Sequence, residues 1–129
     1  MPLEYTIVPA MRLVISRDTL PLTRREIIRF FHDLSADPRF EPTFNQLGHI
    51  HAGALTAMHY NDFSAVKEFD PFAPTSRRAM VVHTKGDFGM VRMYELLRGG
   101  GIRAFESEQE ALQFLGLNPD QDPSRRETR

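Results

Sequence analysis

The sequence predicts an α/β fold: one domain holding a mixed, mostly parallel sheet of four or five strands, with about four helices packed on it. Three observations carry this expectation. In residues 77–105, the apolar run Ala79, Met80, Val81, Val82 suits a strand covered on both faces, whereas Met90, Met93, Tyr94 and Leu97 recur at the i, i+3, i+4, i+7 spacing of a helix stripe. Gly99, Gly100 and Gly101 then stop the helix, and Ile102, Ala104 and Phe105 open a strand that a right-handed crossover lays parallel to the first. The second observation is an opening pair of extended segments broken by Pro9. The third is two capping boxes, Thr23 with Glu26 and Ser107 with Glu110, each of which starts a helix.

Taken in order, Glu4 to Val8 and Met11 to Arg17 read as a hairpin, since Pro9 cannot serve a central ladder. Val14 breaks strict alternation in the second segment, which places that strand inside the sheet with both faces covered. The helix from Thr23 to about Ser35 turns Ile27, Phe30, Phe31 and Leu34 to the core and leaves Arg24, Arg25 and Arg29 to water. Residues 36–44 carry two prolines and form a loop. The next strand, Asn45 to Ile50, has Asn, Gln, Gly and His where a buried parallel strand normally has Val, Ile or Leu. Such a conflict marks either a functional position or an edge strand. Asn61 or Asp62 then caps a short helix with Phe63, Val66 and Phe69 inward. After the strand–helix–strand unit, Ala111, Phe114 and Leu115 form the inner face of a last helix stopped by Gly116 and Pro119. The domain is expected to span 1–117. The two prolines and six charges of LNPDQDPSRRETR make 118–129 a polar, mobile tail.

Composition narrows the class. Sixteen Lys plus Arg against 17 Asp plus Glu leave a net charge of −1, so no global field draws the chain to nucleic acid or an anionic membrane. The absence of cysteine excludes disulfides, thiolate metal sites and thiol nucleophiles. Glu4, Arg12, Arg17 and Asp18 interrupt any leader or membrane span near the start, so a cytoplasmic location is the expectation.

The stretches LTRREIIRFFHDLSADPRFEP, RRAMVVHTKGDFGMVRMYELL and RAFESEQEALQFLG together resemble the bacterial STAS-like proteins, the fold of anti-sigma-factor antagonists, and in particular their small stand-alone members. The similarity covers nearly all of residues 5–117. Its most specific pieces are Ala36-Asp37-Pro38 with Phe40, Phe88-Gly89-Met90, Arg92 with Tyr94, and Glu110-Ala111 with Phe114-Leu115-Gly116. The resemblance implies a mixed sheet of four or five strands and a role in binding or regulation without chemistry. It further implies a phosphorylatable serine near an aspartate at the start of the helix after the third strand. The nearest match is Asp62, Phe63, Ser64, in which a phenylalanine intervenes, and where relatives place an aspartate at the third strand's end this chain has Gly48 and His49.

Several constellations can carry chemistry. His49 and His51, two apart on an extended strand, share a face, and His83 ends the neighbouring strand. With Asp62 or His59 they would make an N/O metal site, against the alternative of hydrogen-bonded histidines at strand ends. Thr84, Lys85 and Gly86 lie between a strand and a helix, where α/β proteins hold anions on helix amides, although Asp87 can cap the same amides. No P-loop, dinucleotide fingerprint or nucleophile elbow is present, so no cofactor is expected.

The leading expectation is a non-enzymatic binding or regulatory module. It acts through contact with a protein partner or a second copy, using His49, His51, Tyr60, Asp62 and Ser64 near the carboxyl end of the third strand. A second reading is a carrier of a small apolar molecule in a pocket lined by Phe30, Phe31, Met58, Phe63, Met90 and Met93, against a filled core. A third is a metal-dependent hydrolase using His49 and His51.

Overall fold

Pro9 divides the amino-terminal segment into β1 (Leu3–Val8) and β2 (Leu13–Asp18), joined by a single 3₁₀ turn over Pro9–Met11. They pair antiparallel, with Leu3 opposite Asp18 and Val8 opposite Leu13. The computed structural model describes residues 3–19 and 21–118, so the expected tail from 119 onward lies outside the described residues. Strands β3 (Asn45–His49), β4 (Arg78–Val81) and β5 (Ile102–Phe105) add in parallel, giving one five-stranded sheet in the order β1-β2-β3-β4-β5. The expected mixed, mostly parallel sheet is therefore present, with β2 inside it.

This order dictates the layers. Each parallel step from β2 to β5 moves the same way across the sheet, and right-handed crossovers then place the connecting helices on one face. These helices are α1 (Arg24–Ala36), α2 (Tyr60–Lys67) and α3 (Lys85–Arg98). Phe30, Phe31 and Leu34 of α1, Phe63 and Val66 of α2, and Val91 and Tyr94 of α3 join Val14, Met80, Val82 and Ile102 of the sheet side in one core. The opposite face is covered by α4 (Glu108–Phe114), whose Ala111 and Leu112, with Leu115, pack on Leu13, Ile15, Leu47, Ala79 and Val81. The alternation in β2 now has its cause: Val14 faces three helices while Leu13 and Ile15 face the fourth.

The caps form at the expected sites. Thr23 accepts from the Glu26 amide while the Glu26 carboxylate accepts from the Thr23 amide, and Ser107 accepts from the Glu110 amide. Helix α3 ends at three glycines, all with positive φ. At Gly101 (φ 87°) a Cβ would also stand 3.2 Å from the Ser76 carbonyl oxygen, so only glycine fits the approach to that loop.

Two expectations are corrected. Helix α2 is capped at His59, ahead of both residues expected to cap it, because Asp62 sits in its first turn and its carboxylate accepts from the His59 amide. Phe69 then falls beyond the helix and is exposed, beside His32. In α3 the buried stripe is Asp87, Val91 and Tyr94, while Met90, Met93 and Leu97 are only half-buried. The helix is rotated from its most apolar presentation because two polar groups, Asp87 and the Tyr94 hydroxyl, find partners inside. No described helix is long and apolar enough to cross a membrane.

Candidate functional site

Beneath α1–α3 the sheet face is not purely apolar. Side chains alternate along a strand, so Val14, Ser16 and Asp18 of β2, Gln46 and Gly48 of β3, and Arg78 and Met80 of β4 share that face. Register then brings Gln46 beside Arg78, and Gly48 between Ser16 and Met80. A buried chain of hydrogen bonds follows: Arg78 Nε donates to Gln46 Oε1 at 2.9 Å, and Gln46 Nε2 donates to Ser16 Oγ at 2.9 Å. Its direction is fixed. A guanidinium can only donate, so the glutamine oxygen must accept and its amide must donate onward.

The chain is anchored at Asp70. Arg78 Nη1 donates to Asp70 Oδ2 at 2.6 Å, the Tyr94 hydroxyl donates to the same oxygen at 2.6 Å, and Arg98 Nε lies 3.4 Å away. The other Asp70 oxygen accepts from the Phe72 amide. Burial by itself raises the pKa of Asp70, but Arg78, the Tyr94 hydroxyl and Arg98 outweigh it and hold the carboxyl below the usual range. Burial, reinforced by the charge on Asp70, pushes the Tyr94 phenol up. Arg78 also stacks over the Phe72 ring at 4.2 Å, which covers the face of a guanidinium that cannot shed its charge. Two buried cations thus share one buried carboxylate.

Above this polar floor lies a cavity of about 90 Å³. Its walls are Leu22, Phe30, Phe31, Leu55, Phe63 and Val66, with Ser16, Gln46, Arg78 and Tyr94 supplying polar atoms. Leu3, Ile27 and Ile50 also line it and are half-exposed, whereas the floor is buried. Three residues expected to line a pocket do so: Phe30, Phe31 and Phe63. Met58 is packed in the core, Met90 is half-buried, Met93 lines an outer groove, and Met80 takes the place in the lining. Gly48 keeps that thioether in position, since a Cβ there would lie 2.5 Å from Met80 Sδ and 3.2 Å from Ser16 Oγ.

The carboxyl ends of the strands hold two more buried carboxylates. Asp87 is fully buried in the first turn of α3; it accepts from the Gly53 amide at 2.7 Å, the Leu55 amide at 3.0 Å and the Thr84 hydroxyl at 2.9 Å. It therefore ties the loop after β3 to α3 rather than capping helix amides, and the cap is Thr84, which accepts from the Asp87 amide. Lys85 and Gly86 are exposed. Asp18, 4 % exposed, accepts from the His51 amide through Oδ1, while its Oδ2 is buried without a partner among the described residues. Burial raises the Asp18 pKa against the lowering effects of that amide, of the Asp18 amide itself and of His51.

The three histidines do not form one cluster. Strand β3 ends at His49, half-buried on the face it shares with Leu47; His51 lies in the following coil and is exposed, as is His83. Among the described residues no three His, Asp or Glu side chains are grouped to hold a metal ion.

On the outer surface, Tyr60, Gly89, Arg92, Met93, Leu96 and Leu97 line a groove of about 460 Å³ between the start of α2 and the solvent side of α3. Leu96 is 69 % exposed and Tyr60 55 %, and Phe88 stands exposed one turn before Arg92. Asp62 pairs with Arg24 at 3.0 Å, and the His59 amide, then Arg24, hold its carboxyl below the usual range. Ser64 is exposed on the same helix. Of the residues expected to make contacts, Tyr60 is the one that lines this groove.

Sequence reasoning missed Ser16, Asp18, Asp70 and Arg78. The available signal was parity: Ser16 and Asp18 occupy the inward positions of a strand read as buried on both faces. Comparison with protein families, with curated proteins and with solved structures returns no match for this chain.

Proposed function

We propose that this chain is a non-enzymatic binding module of STAS-like type that engages a partner protein through the α2–α3 face. The observation that carries the reading is the outer groove. Helix α3 already buries Val91 and Tyr94 against the sheet, yet it also presents Phe88, Leu96 and half of Met93 and Leu97 to water. Met93 and Leu97 also pack against the core, but Phe88 and Leu96 are exposed, and grouped apolar exposure of this kind is characteristic of contact surfaces. The element order, with its amino-terminal hairpin and three crossovers, supports the STAS-like reading. The partner suited to the groove offers an apolar segment, since Arg92 in the lining already lies 3.7 Å from Glu95 on the same helix.

The test compares Leu96→Glu and Tyr60→Ala with the unmodified chain in affinity capture from bacterial lysate, alongside light scattering after size exclusion. The expected result is a partner band, or a dimer, that both variants lose while their unfolding midpoints stay unchanged. Capture that is identical in all three proteins, or absent from all three with a monomeric chain, would count against the proposal.

A further inference from the structure

The polar residues that line the cavity under α1–α3, Ser16, Gln46, Arg78 and Tyr94, bring more hydrogen-bond donors than acceptors. Gln46 uses Nε2 to donate to Ser16 Oγ, which leaves the Ser16 hydroxyl proton pointing away from that bond. Among the described residues nothing accepts it. Arg78 commits Nε to Gln46 and Nη1 to Asp70, and its Nη2 makes no hydrogen bond to a described residue. The acceptor oxygens that the chain of hydrogen bonds reaches are taken, Gln46 Oε1 by Arg78 and Asp70 Oδ2 by Arg78, Tyr94 and Arg98, while the partnerless Asp18 Oδ2, two positions on from Ser16, lies outside the lining. Charge leans the same way, because the guanidiniums of Arg78 and Arg98 share the single carboxylate of Asp70. The rest of the lining is hydrocarbon, and the volume, about 90 Å³, is well below the several hundred Å³ of a drug-sized pocket.

We infer that this cavity is a binding site for a short aliphatic carboxylate, of about four carbons, whose head accepts from Ser16 and Arg78 while its chain lies among Leu22, Leu55 and Val66. A carboxylate accepts and does not donate, so it meets unmatched donors without leaving one of its own protons buried. It also brings the negative charge that the two guanidiniums lack. A longer acyl chain has no room unless it leaves past Leu3, Ile27 and Ile50, the half-exposed part of the lining. This site is on the inner side of the helices and is independent of the outer groove on α3.

Methyl NMR of the whole chain tests the assignment, with butyrate, its neutral counterpart butanamide, and xenon as probes. Xenon reports the apolar space alone and should shift the Leu22, Leu55 and Val66 methyls in both the unmodified chain and Ser16→Ala. Butyrate should shift the same methyls and bind about tenfold more tightly than butanamide, the difference between a charge-assisted and a neutral hydrogen bond. Ser16→Ala should weaken butyrate about fivefold and leave the xenon response intact, which separates loss of the donor from loss of the cavity. The inference is overturned if butyrate leaves those methyls unmoved, if butanamide binds as well, or if Ser16→Ala binds butyrate unchanged.

Discussion

Asp70 Oδ2 and Arg78 Nη1 lie 2.6 Å apart, and each side chain is 3 % exposed. The carboxylate stands in the loop after α2 and the guanidinium at the start of β4, so the pair ties a connection to the sheet it serves. Breaking a buried pair from one side leaves the other charge unmatched, at a cost of roughly 3–5 kcal/mol. Asp70→Asn should therefore lower the urea midpoint sharply. Because the folded carboxyl is held below its unfolded value of about 3.9, its stabilisation is complete above that pH and is lost as pH falls through the folded value. The gap between the unmodified chain and Asp70→Asn should close on acidification; a gap that is constant with pH would argue against an ionised Asp70.

Asp18 carries the opposite sign. Its folded pKa is raised, so the ionised form is disfavoured in the native chain and stability declines as pH rises from the unfolded value through the folded one. Asp18→Asn keeps an oxygen for the His51 amide and removes the charge from the partnerless Oδ2. The substitution should raise the unfolding midpoint at pH 7 and have little effect below about pH 4. Equal or lower stability at pH 7 would show that Oδ2 is compensated.

Asp87 staples a loop to a helix. Asp87→Ala leaves the Gly53 and Leu55 amides without an acceptor, at roughly 1–3 kcal/mol for each buried donor. Hydrogen exchange should report faster exchange at those two amides, with α1 and α4 little changed. Uniform acceleration across the chain would mean that the loop and the core unfold together.

Gly48 and Met80 are adjacent across the β3–β4 pairing, and a methyl at Gly48 would meet the Met80 thioether at 2.5 Å. Gly48→Ala should cost roughly 1–3 kcal/mol by overpacking. In a Met80→Ala background that cost should fall by more than half, because the obstructing sulfur is gone. Additive costs in the double variant would place the strain in the backbone instead.

The order of elements, the hairpin at Pro9, the capping boxes and the glycine stop could all be read from residues close together in the chain, because caps, turns and side-chain period depend on neighbours within a few positions. The odd composition of the third strand was also legible as an anomaly. Its cause was not, since Gln46 exists to link Ser16 to Arg78, and Gly48 exists to clear Met80, over sequence separations of about thirty residues. Likewise a helical period says that α3 has an apolar stripe, yet the rotation that buries Asp87 and Tyr94 depends on partners at Gly53, Leu55 and Asp70. Local pattern decides which face a side chain takes; only the assembled sheet decides which other side chain waits there, and the donors, charges and empty space beneath α1–α3 are all of that second kind.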